Sequence, residues 1–500
     1  MALFKKRKVK EDPAIDQDEE ESEPGMASAD LSHSGVRLDE EVQGEDKGYL
    51  YGEDDPGDMI RVSLPEKHHM NIKWYDVVND GDMKPENVTL KEKAMLTGRV
   101  GLMMLSVGTG AWRVLDSMNR IADSIGITCT ANIGLVSLDY TCLEDDEAVS
   151  FSFALPTTGV NTDKLDSMER FVADFCLTGS NNTMKEIHDE LDEIDHKKGN
   201  YNPFILGLAS GSACFAFTFL LGGGPVEMVC AFIGAFFGNF LKSLTVRKHL
   251  TLLVTTALSV FVSCVITIAA YKTAEHFFGA SSLHESGYIC AMLFIIPGFP
   301  LITGGLDLFK SHMRSGIERL TYAFMIIVIA TVTGWMTAQM LGFRPNDLYT
   351  YTMAPLLVMF LRMLFSFIGV FGFSLMFNSP VKVASIAGCI GLVSNTLRLE
   401  LVDYTPIVPA CCALIGAFIA GMLAALMVKL TRHPRIAFSV PSIVIMVPGL
   451  YMYRAMYNIG INMTGEGLSW LLRALMIILA LPTGLAIARI VTDHRFRVVN

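Results

Sequence analysis

The chain has 500 residues, 51% of them hydrophobic, and a mean hydropathy of +0.39. Soluble proteins often reach the first value but rarely the second, so the composition favours an integral membrane protein. The net charge of −11 belongs to the N-terminal tail, because residues 11–58 hold 18 acidic and two basic side chains while residues 59–500 sum to about zero. The ten cysteines lack zinc-site or disulfide-framework spacings, and no cofactor or metal is predicted.

The first 84 residues are predicted to be a disordered acidic tail, since a charged segment with few aromatic residues cannot bury enough apolar area to fold. They begin with a basic run, KKRKVK, that resembles a nuclear-import signal. A membrane domain downstream favours instead a solvated basic patch near anionic lipid. No apolar core follows this run, so we expect no cleavable signal peptide.

Residues 85–200 are predicted to form a small cytoplasmic α+β domain. Apolar residues at helical spacing run through residues 89–126, and a glycine-rich turn at 108–110 interrupts them. Two runs rich in β-branched and aromatic residues, ITCTANIGLVSLDYT and EAVSFSFALP, flank the acidic turn LEDDE and predict a hairpin. Two helices are predicted to follow, over 162–177 and 184–195.

From Phe204 onward the chain is a series of apolar runs long enough to span a bilayer. Loops after even-numbered runs carry several Lys or Arg residues, whereas loops after odd-numbered runs carry mostly one. The positive-inside rule therefore places both termini in the cytoplasm, and a plasma membrane is favoured over an organelle. The ten predicted spans are 204–222, 226–241, 250–271, 287–306, 320–341, 352–376, 381–397, 405–428, 437–459 and 468–490.

The two halves of this region resemble each other. PVEMVCAFIGAFFGNFLKSL, from Pro225, and PVKVASIAGCIGLVSNTLRL, from Pro380, both end in an asparagine followed by a cation. IIPGFP in the fourth span and MVPGLY in the ninth place Pro297 and Pro448 151 positions apart. Five spans per repeat would invert one half relative to the other. The predicted fold class is thus an α-helical polytopic membrane protein with two inverted five-helix repeats, over 201–345 and 346–500.

Both Pro-Gly pairs lie about ten residues into their spans, roughly 15 Å along a helix and near the bilayer centre. Proline frees backbone groups from their partners, which is tolerated at that depth only where the backbone faces protein or a polar cavity. Half-helix N-termini suit a carboxylate and freed carbonyls suit an ammonium group, so the paired breaks predict a site for a small zwitterion. A structural kink is the alternative reading of either break alone. The predicted binding residues here are Pro297, Gly298, Pro300, Thr303, Pro448 and Gly449.

Four further polar residues inside the spans are candidates. Asp307, near the inner boundary, is the predicted proton carrier, and pairing with Lys310 is the alternative. Arg362, about ten residues into the sixth span, is predicted to face the interior and to pair with a carboxylate of the protein or of the substrate. Asn239 and Asn395, at nearly equivalent repeat positions, are predicted to bind substrate or to join helices.

These residues resemble the threonine/serine exporter family, which pairs a cytoplasmic N-terminal domain with ten spans in two related halves. A PGxPL motif followed by an aspartate is matched at 297–301 and Asp307. A PG-x-x-x-YR motif is matched at 448–454, so the resemblance adds Tyr453 and Arg454 to the predicted site. Arg454 is expected to orient the outer half of the site or to anchor the helix at the outer interface.

The N-terminal domain is similar to the family's too. A glycine-rich turn before an Arg-Val helix matches 108–114, including Arg113, and a G-V-N-x-D-K-L element matches 159–165. The acidic tail departs from the compact bacterial pattern and suggests a eukaryotic relative, which leaves the substrate open.

The resemblance implies an exporter of small amino acids such as threonine and serine. We expect it to be proton-coupled and to work by alternating access, with Asp307 as proton carrier and Arg362 near the substrate carboxylate. Small dicarboxylates such as succinate are the alternative substrates, because related split bacterial systems export them. A second alternative makes residues 85–200 an enzyme or sensor served by the membrane part. The expected partners are a small-molecule substrate, a proton and the lipid bilayer, in a monomer or homo-oligomer, with no nucleic acid.

Overall fold

The computed structural model of the chain describes residues 47–51, 59–63, 72, 74–77, 81–178, 181–279, 287–343 and 353–498. Most of the predicted tail lies outside them. Residues 1–70 form a unit of their own, in which strands Lys47–Tyr51 (β1) and Met59–Ser63 (β2) pair antiparallel. These two strands depart locally from the predicted disorder, because KGYLY and MIRVS are rich in the aromatic and β-branched residues that favour strands.

The helix break predicted at 108–110 is confirmed. Helix α1 covers Leu90–Ser106 and α2 covers Ala111–Ser124. Gly108, between them, has a φ of +84°, which favours glycine. A capping box between Thr89 and Glu92 fixes the start of α1.

The predicted hairpin is part of a three-stranded antiparallel sheet in the order β3-β4-β5. Its strands are Thr128–Ile133 (β3), Ser137–Glu144 (β4) and Glu147–Ala154 (β5). The first predicted run is two strands rather than one, because the chain reverses at Gly134, whose N–H donates to the carbonyl of Ser137 at 2.8 Å. Helices α3 (Thr162–Thr178) and α4 (Met184–His196) follow as predicted.

The rest of the chain is an α-helical polytopic membrane protein. Among the described residues, eight helices are long and apolar enough to cross a membrane, or up to ten segments if each of two bent helix pairs is one span. The eight helices are α5 (Pro203–Leu220), α6 (Pro225–Arg247), α7 (Leu252–Phe278), α10 (Met313–Met340), α11 (Pro355–Met376), α12 (Val381–Tyr404), α13 (Pro409–Thr431) and α16 (Thr464–Thr492). A short helix α17 (His494–Arg497) follows the last of them.

The two bent pairs lie where the fourth and ninth spans are predicted. In the first, α8 (Gly287–Cys290) and a 3-10 turn lead into α9 (Gly298–Phe309) at a bend of 58°. In the second, α14 (Arg435–Val444) leads into α15 (Gly449–Gly460) at a bend of 45°. Each bend follows the removal of a backbone donor by proline.

Small residues bring the two halves of the membrane region together along α5 and α11. A Cβ added to Gly372 of α11 would lie 2.5 Å from the carbonyl oxygen of Ala209 in α5. Backbones approach this closely only where side chains are missing, which is how membrane helices gain packing contacts without a hydrophobic driving force. The bent pairs pack beside this seam, since Gly369 of α11 contacts Ile445 at the end of α14.

Candidate substrate site at two helix breaks

The two proline breaks have the same backbone conformation. Pro297 has φ −81° and ψ 63°, and Pro448 has φ −82° and ψ 55°. In each break the N–H after the proline donates to the carbonyl two positions back, at 2.8 Å in the first and 2.9 Å in the second. This is an inverse γ-turn, so each proline ends one half-helix and begins the next.

The structure also brings the two breaks together. A Cβ added to Gly298 would lie 2.9 Å from Val444, just before the second break. A Cβ added to Gly449 would lie 2.1 Å from Ile296, just before the first. Each glycine thus lets the opposite break approach, which a larger residue would prevent.

The space between the breaks is small and apolar. Its volume is about 10 Å³, which leaves room for at most one water molecule. The six lining side chains form three pairs of corresponding positions, in which one residue comes from each half of the membrane region, before or after residue 345. The pairs are Phe217 with Phe373, Leu293 with Val444, and Ile296 with Val447, and their members are 156 or 151 positions apart.

Other predicted residues of the two motifs are directed elsewhere. Thr303 is buried, and its hydroxyl donates to the carbonyl of Phe299 within α9 at 3.0 Å, while Pro300 occupies the first turn of that helix. Tyr453 is buried against Gly334 of α10, and its hydroxyl has no hydrogen-bond partner among the described residues. The Arg454 guanidinium lies 4.8 Å over the ring of Trp470 in α16.

Asp307 lies at the centre of a buried network and does not pair with Lys310, so that alternative is wrong. Its carboxylate accepts hydrogen bonds from the N–H of Ala111 at 3.0 Å and from the hydroxyl of Ser315 at 2.9 Å. It also forms an ion pair with Arg319 at 3.2 Å. Lys310 instead donates to backbone carbonyls near the C-terminus, which its longer side chain can reach from the end of α9.

Arg319 extends this network to the glycine-rich turn. Its guanidinium donates to the carbonyls of Gly108 at 3.3 Å and Thr109 at 2.7 Å. A Cβ added to Gly110 would lie 2.7 Å from a carboxylate oxygen of Asp307, which explains a glycine there. The predicted fifth span, 320–341, leaves Arg319 in the preceding loop, but α10 begins at Met313 and places it inside the helix.

The second N-terminal motif also contacts the membrane helices, at the turn between α11 and α12. The N–H of Thr162 donates to the carbonyl of Phe377 at 3.0 Å, and its hydroxyl hydrogen-bonds that of Ser379 at 2.7 Å. The Asn378 amide donates to the Asn161 side chain at 2.9 Å. Both motifs that carried the resemblance in residues 85–200 therefore hold this part of the chain against the membrane region.

Arg362 is bound by two carboxylates of the protein. Its guanidinium contacts Glu400 at 3.0 Å and Asp403, both in α12. The helix begins at Pro355, so Arg362 lies nearer the end of its span than predicted. Pairing with a carboxylate of the protein, one of the two predicted alternatives, is therefore confirmed. The other alternative, a substrate carboxylate, is corrected, because α12 already balances the charge of Arg362.

Asn239 and Asn395 join helices, which was one of the two predicted roles. The Asn239 amide donates to the carbonyl of Leu206 in α5 at 2.8 Å. The Asn395 amide donates to the hydroxyl of Ser366 in α11 at 2.9 Å. Both residues thus bind the preceding long helix in their own half.

A cavity of about 890 Å³ lies between helices α2 and α3 and the C-terminal ends of α13 and α16. Basic side chains outnumber acidic ones in its wall, so the cavity suits small anionic or zwitterionic solutes. The basic residues are Arg113, Arg120, Arg170, Lys429, Arg432, Arg435, Arg489 and Arg495.

Comparison with known proteins finds sequence similarity to the threonine/serine exporter family over most of the chain. Two models of the threonine/serine exporter family match, one over residues 95–342 and the other, described as "Threonine/Serine exporter, ThrE", over residues 362–491. A protein of Mycobacterium tuberculosis named "Probable threonine/serine exporter" is 22% identical over 78% of this chain and 75% of its own length.

Two other relatives match shorter parts. "Pheromone-regulated membrane protein 10" of Debaryomyces hansenii is 24% identical over 53% of this chain, which spans only 26% of that protein. "Probable succinate transporter subunit YjjP" of Escherichia coli is 21% identical over 47% of this chain and 91% of its own length. No solved structure matches the chain. The family models, taken with the paired helix breaks, show that this chain is a membrane transporter of the threonine/serine exporter family and not an enzyme.

Proposed function

We propose that the protein exports small amino acids such as threonine and serine across the plasma membrane, coupled to protons. The observation that carries this proposal is the contact between two proline breaks of matching conformation. Broken helices that meet near the bilayer midplane are the usual substrate sites of secondary transporters. A small zwitterion fits the half-helix ends that these breaks create.

The proposed architecture has ten spans in two inverted repeats, with both termini and the domain at 85–200 in the cytoplasm. The matched γ-turns support the repeat, as do the paired residues between the breaks. Asn239 and Asn395 add a third correspondence, because they are 156 positions apart and each binds the preceding long helix. Alternating access would then be a rocking of one repeat against the other around the breaks.

In this scheme Asp307 carries the proton and links it to the N-terminal domain. The ionised carboxylate accepts hydrogen bonds from the first N–H of α2 and from Ser315, and it balances the charge of Arg319. Such charge-assisted hydrogen bonds weaken when the acceptor is protonated. Protonation of Asp307 would therefore loosen the contact between the glycine-rich turn and α10, and open the inner side of the transporter.

Counterflow in proteoliposomes tests the proposal. Purified full-length protein, loaded with unlabelled serine, should take up labelled threonine or serine, and an imposed pH gradient should drive net transport. Asp307→Asn should keep serine exchange but lose the response to the pH gradient. Liposomes with heat-denatured protein are the control, and the absence of pH-dependent counterflow of both amino acids would overturn the proposal.

A small dicarboxylate is the second candidate substrate. The excess of basic side chains around the 890 Å³ cavity favours an anion, and one relative is named as a succinate transporter subunit. Labelled succinate in the same liposomes decides between the two. Succinate counterflow that serine cannot compete with would replace the amino acid as substrate while leaving the transporter class in place.

A further inference from the structure

We propose that Arg398, in α12, binds the carboxylate of the transported solute on the outer side of the helix breaks. This inference rests on the proposed function and adds the residue that recognises the solute's charge. The predicted seventh span, 381–397, leaves Arg398 as the first residue of the following loop. The helix continues to Tyr404, however, so Arg398 lies nearly two turns inside it.

A run of polar side-chain atoms around Arg398 is buried without partners. Within the described part of the chain, no hydrogen bond reaches the hydroxyls of Ser394 and Thr396, the side-chain oxygen of Asn395 or the Nε of Arg398. Buried polar atoms in native proteins are nearly always paired, so each exception needs an explanation such as a water or a bound group. Three of these residues, Ser394, Asn395 and Arg398, share one face of α12, and their unpaired atoms indicate a site that a polar ligand completes.

The protein supplies no carboxylate to Arg398 among its described residues. Glu400, two residues further, lies about 200° around the helix and is bound to Arg362, as is Asp403. Among the described residues, the ionised side chain that acts on Arg398 is Arg362, and these two positive charges repel each other. A cation inside a membrane protein pairs with an opposite charge, and a solute carboxylate would provide one.

The geometry places Arg398 beside the second break. The Cβ position of Gly416 in α13 lies 3.2 Å from the Cβ of Arg398 and 3.3 Å from the methyl group of Met446, which precedes Pro448. Tyr451, in the first turn of α15, is close enough to interact electrostatically with Arg398. Arg398 therefore lies close to the start of the half-helix α15, and the positive end of that half-helix also attracts an anion.

The first half carries an equivalent cation. Lys242 stands three residues after Asn239, as Arg398 stands three residues after Asn395, and the two cations are 156 positions apart. No opposite charge acts on Lys242 within the described residues either. In inverted repeats these cations lie at opposite ends of the pathway, so Lys242 would meet the same carboxylate on the inner side.

Transport kinetics of charge variants test the role of Arg398. Counterflow of serine and of succinate should show a KM at least ten-fold higher in Arg398→Gln than in the wild type, and Arg398→Lys should restore most of the affinity. Arg247→Gln, which removes an exposed cation at the end of α6, is the matched control and should leave KM unchanged. A KM unchanged in Arg398→Gln, whatever the maximal rate, would overturn the inference.

A second readout depends on charge rather than on folding. In the wild type, free serine should compete for transport at least ten-fold better than serinamide, which lacks the carboxylate. In Arg398→Gln the two competitors should be nearly equal, whereas a loss of structure alone would lower the rate without changing their ratio. If Arg398→Gln does not fold, the same ratio in Arg398→Lys decides, and an unchanged ratio there contradicts the inference. A wild type that transports neither serine nor succinate overturns the proposed function itself.

Discussion

Two arginines of the membrane helices show opposite surroundings. Arg319 is 2% exposed, and its guanidinium has an ion pair with Asp307 and hydrogen bonds to Ser315 and to two carbonyls of the glycine-rich turn. Arg398 has neither a hydrogen bond nor an ion pair among the described residues, and its Nε is buried.

The difference separates a structural contact from a candidate binding group. A buried cation is retained only when other groups compensate its desolvation, and for Arg319 the protein does so itself. In the proposed topology, the contacts of Arg319 hold the N-terminal domain against the cytoplasmic side of the membrane helices. For Arg398 none of the described carboxylates does so, as expected of a group that meets a transported anion.

Removing Arg319 should have the largest effect. Arg319→Met leaves the buried Asp307 carboxylate without its charge partner, and breaking a buried ion pair in this way costs about 3–5 kcal/mol. We expect the free energy of unfolding, measured by denaturant titration in detergent, to fall by that amount.

A double-mutant cycle sharpens this result. Adding Asp307→Asn to Arg319→Met removes the uncompensated charge, so the double variant should be more stable than Arg319→Met alone. Arg398→Met should destabilise far less, because no partner is left behind. The comparison would be contradicted if Arg319→Met and Arg398→Met lowered the free energy of unfolding equally. It would also be contradicted if the effects of Asp307→Asn and Arg319→Met were additive.

Gly110→Ala should weaken the same contact by sterics. Its Cβ would lie 2.7 Å from an Asp307 oxygen, and overpacking of this kind costs about 1–3 kcal/mol. Gly159→Ala is the matched control, since a Cβ there meets no atom within 4 Å and the residue lies in the other N-terminal motif. Limited proteolysis of residues 85–200 should accelerate in the first variant and stay unchanged in the second.

A buried arginine in α1 makes a pH-dependent prediction. Arg99 lies 2.7 Å from the Nδ1 of His188, and burial, with the charge of Arg99, lowers the pKa of His188 from 6.5 to about 4. The folded state thus favours the neutral ring, and stability should be lost as the pH falls from 6.5 towards 4. Between pH 7 and 5 the loss is about 1–2 kcal/mol.

Hydrogen exchange of α1 and α4 at the two pH values measures this loss, because both helices contact the pair. His188→Gln should remove most of the pH dependence. If His188→Gln showed the same pH dependence as the wild type, another group would be titrating. That result would contradict the assignment of the pH dependence to His188 beside Arg99.

The asparagines should have the smallest effects. Asn239→Leu removes one interhelical hydrogen bond, and such bonds in membrane proteins contribute about 0.6 kcal/mol on average. Asn395→Leu should lose a similar amount of stability, but it should also raise the KM for serine because it changes the polar run beside Arg398. Equal KM values in the two variants would argue that both asparagines only join helices.

Features that depend on local chemistry could be predicted from the amino-acid sequence. The eight long helices and both breaks follow from apolar runs and from proline, and the turn at 108–110 follows from glycine, since each effect acts within one helical turn. Three run boundaries were misplaced, at Gly134, near Arg319 and near Arg398, because chain reversals and helix extensions depend on neighbours in space.

The pairing of the polar groups, in contrast, depends on tertiary contacts that the sequence does not reveal. Asp307, Arg319, Arg362 and Arg398 all read as charges in or near apolar runs. Their roles differ because helices far apart in sequence bring two carboxylates to Arg362, a glycine-rich turn to Arg319 and none of the described carboxylates to Arg398. The free energy of a buried charge depends on its partners, and these come from packing rather than from the adjacent residues.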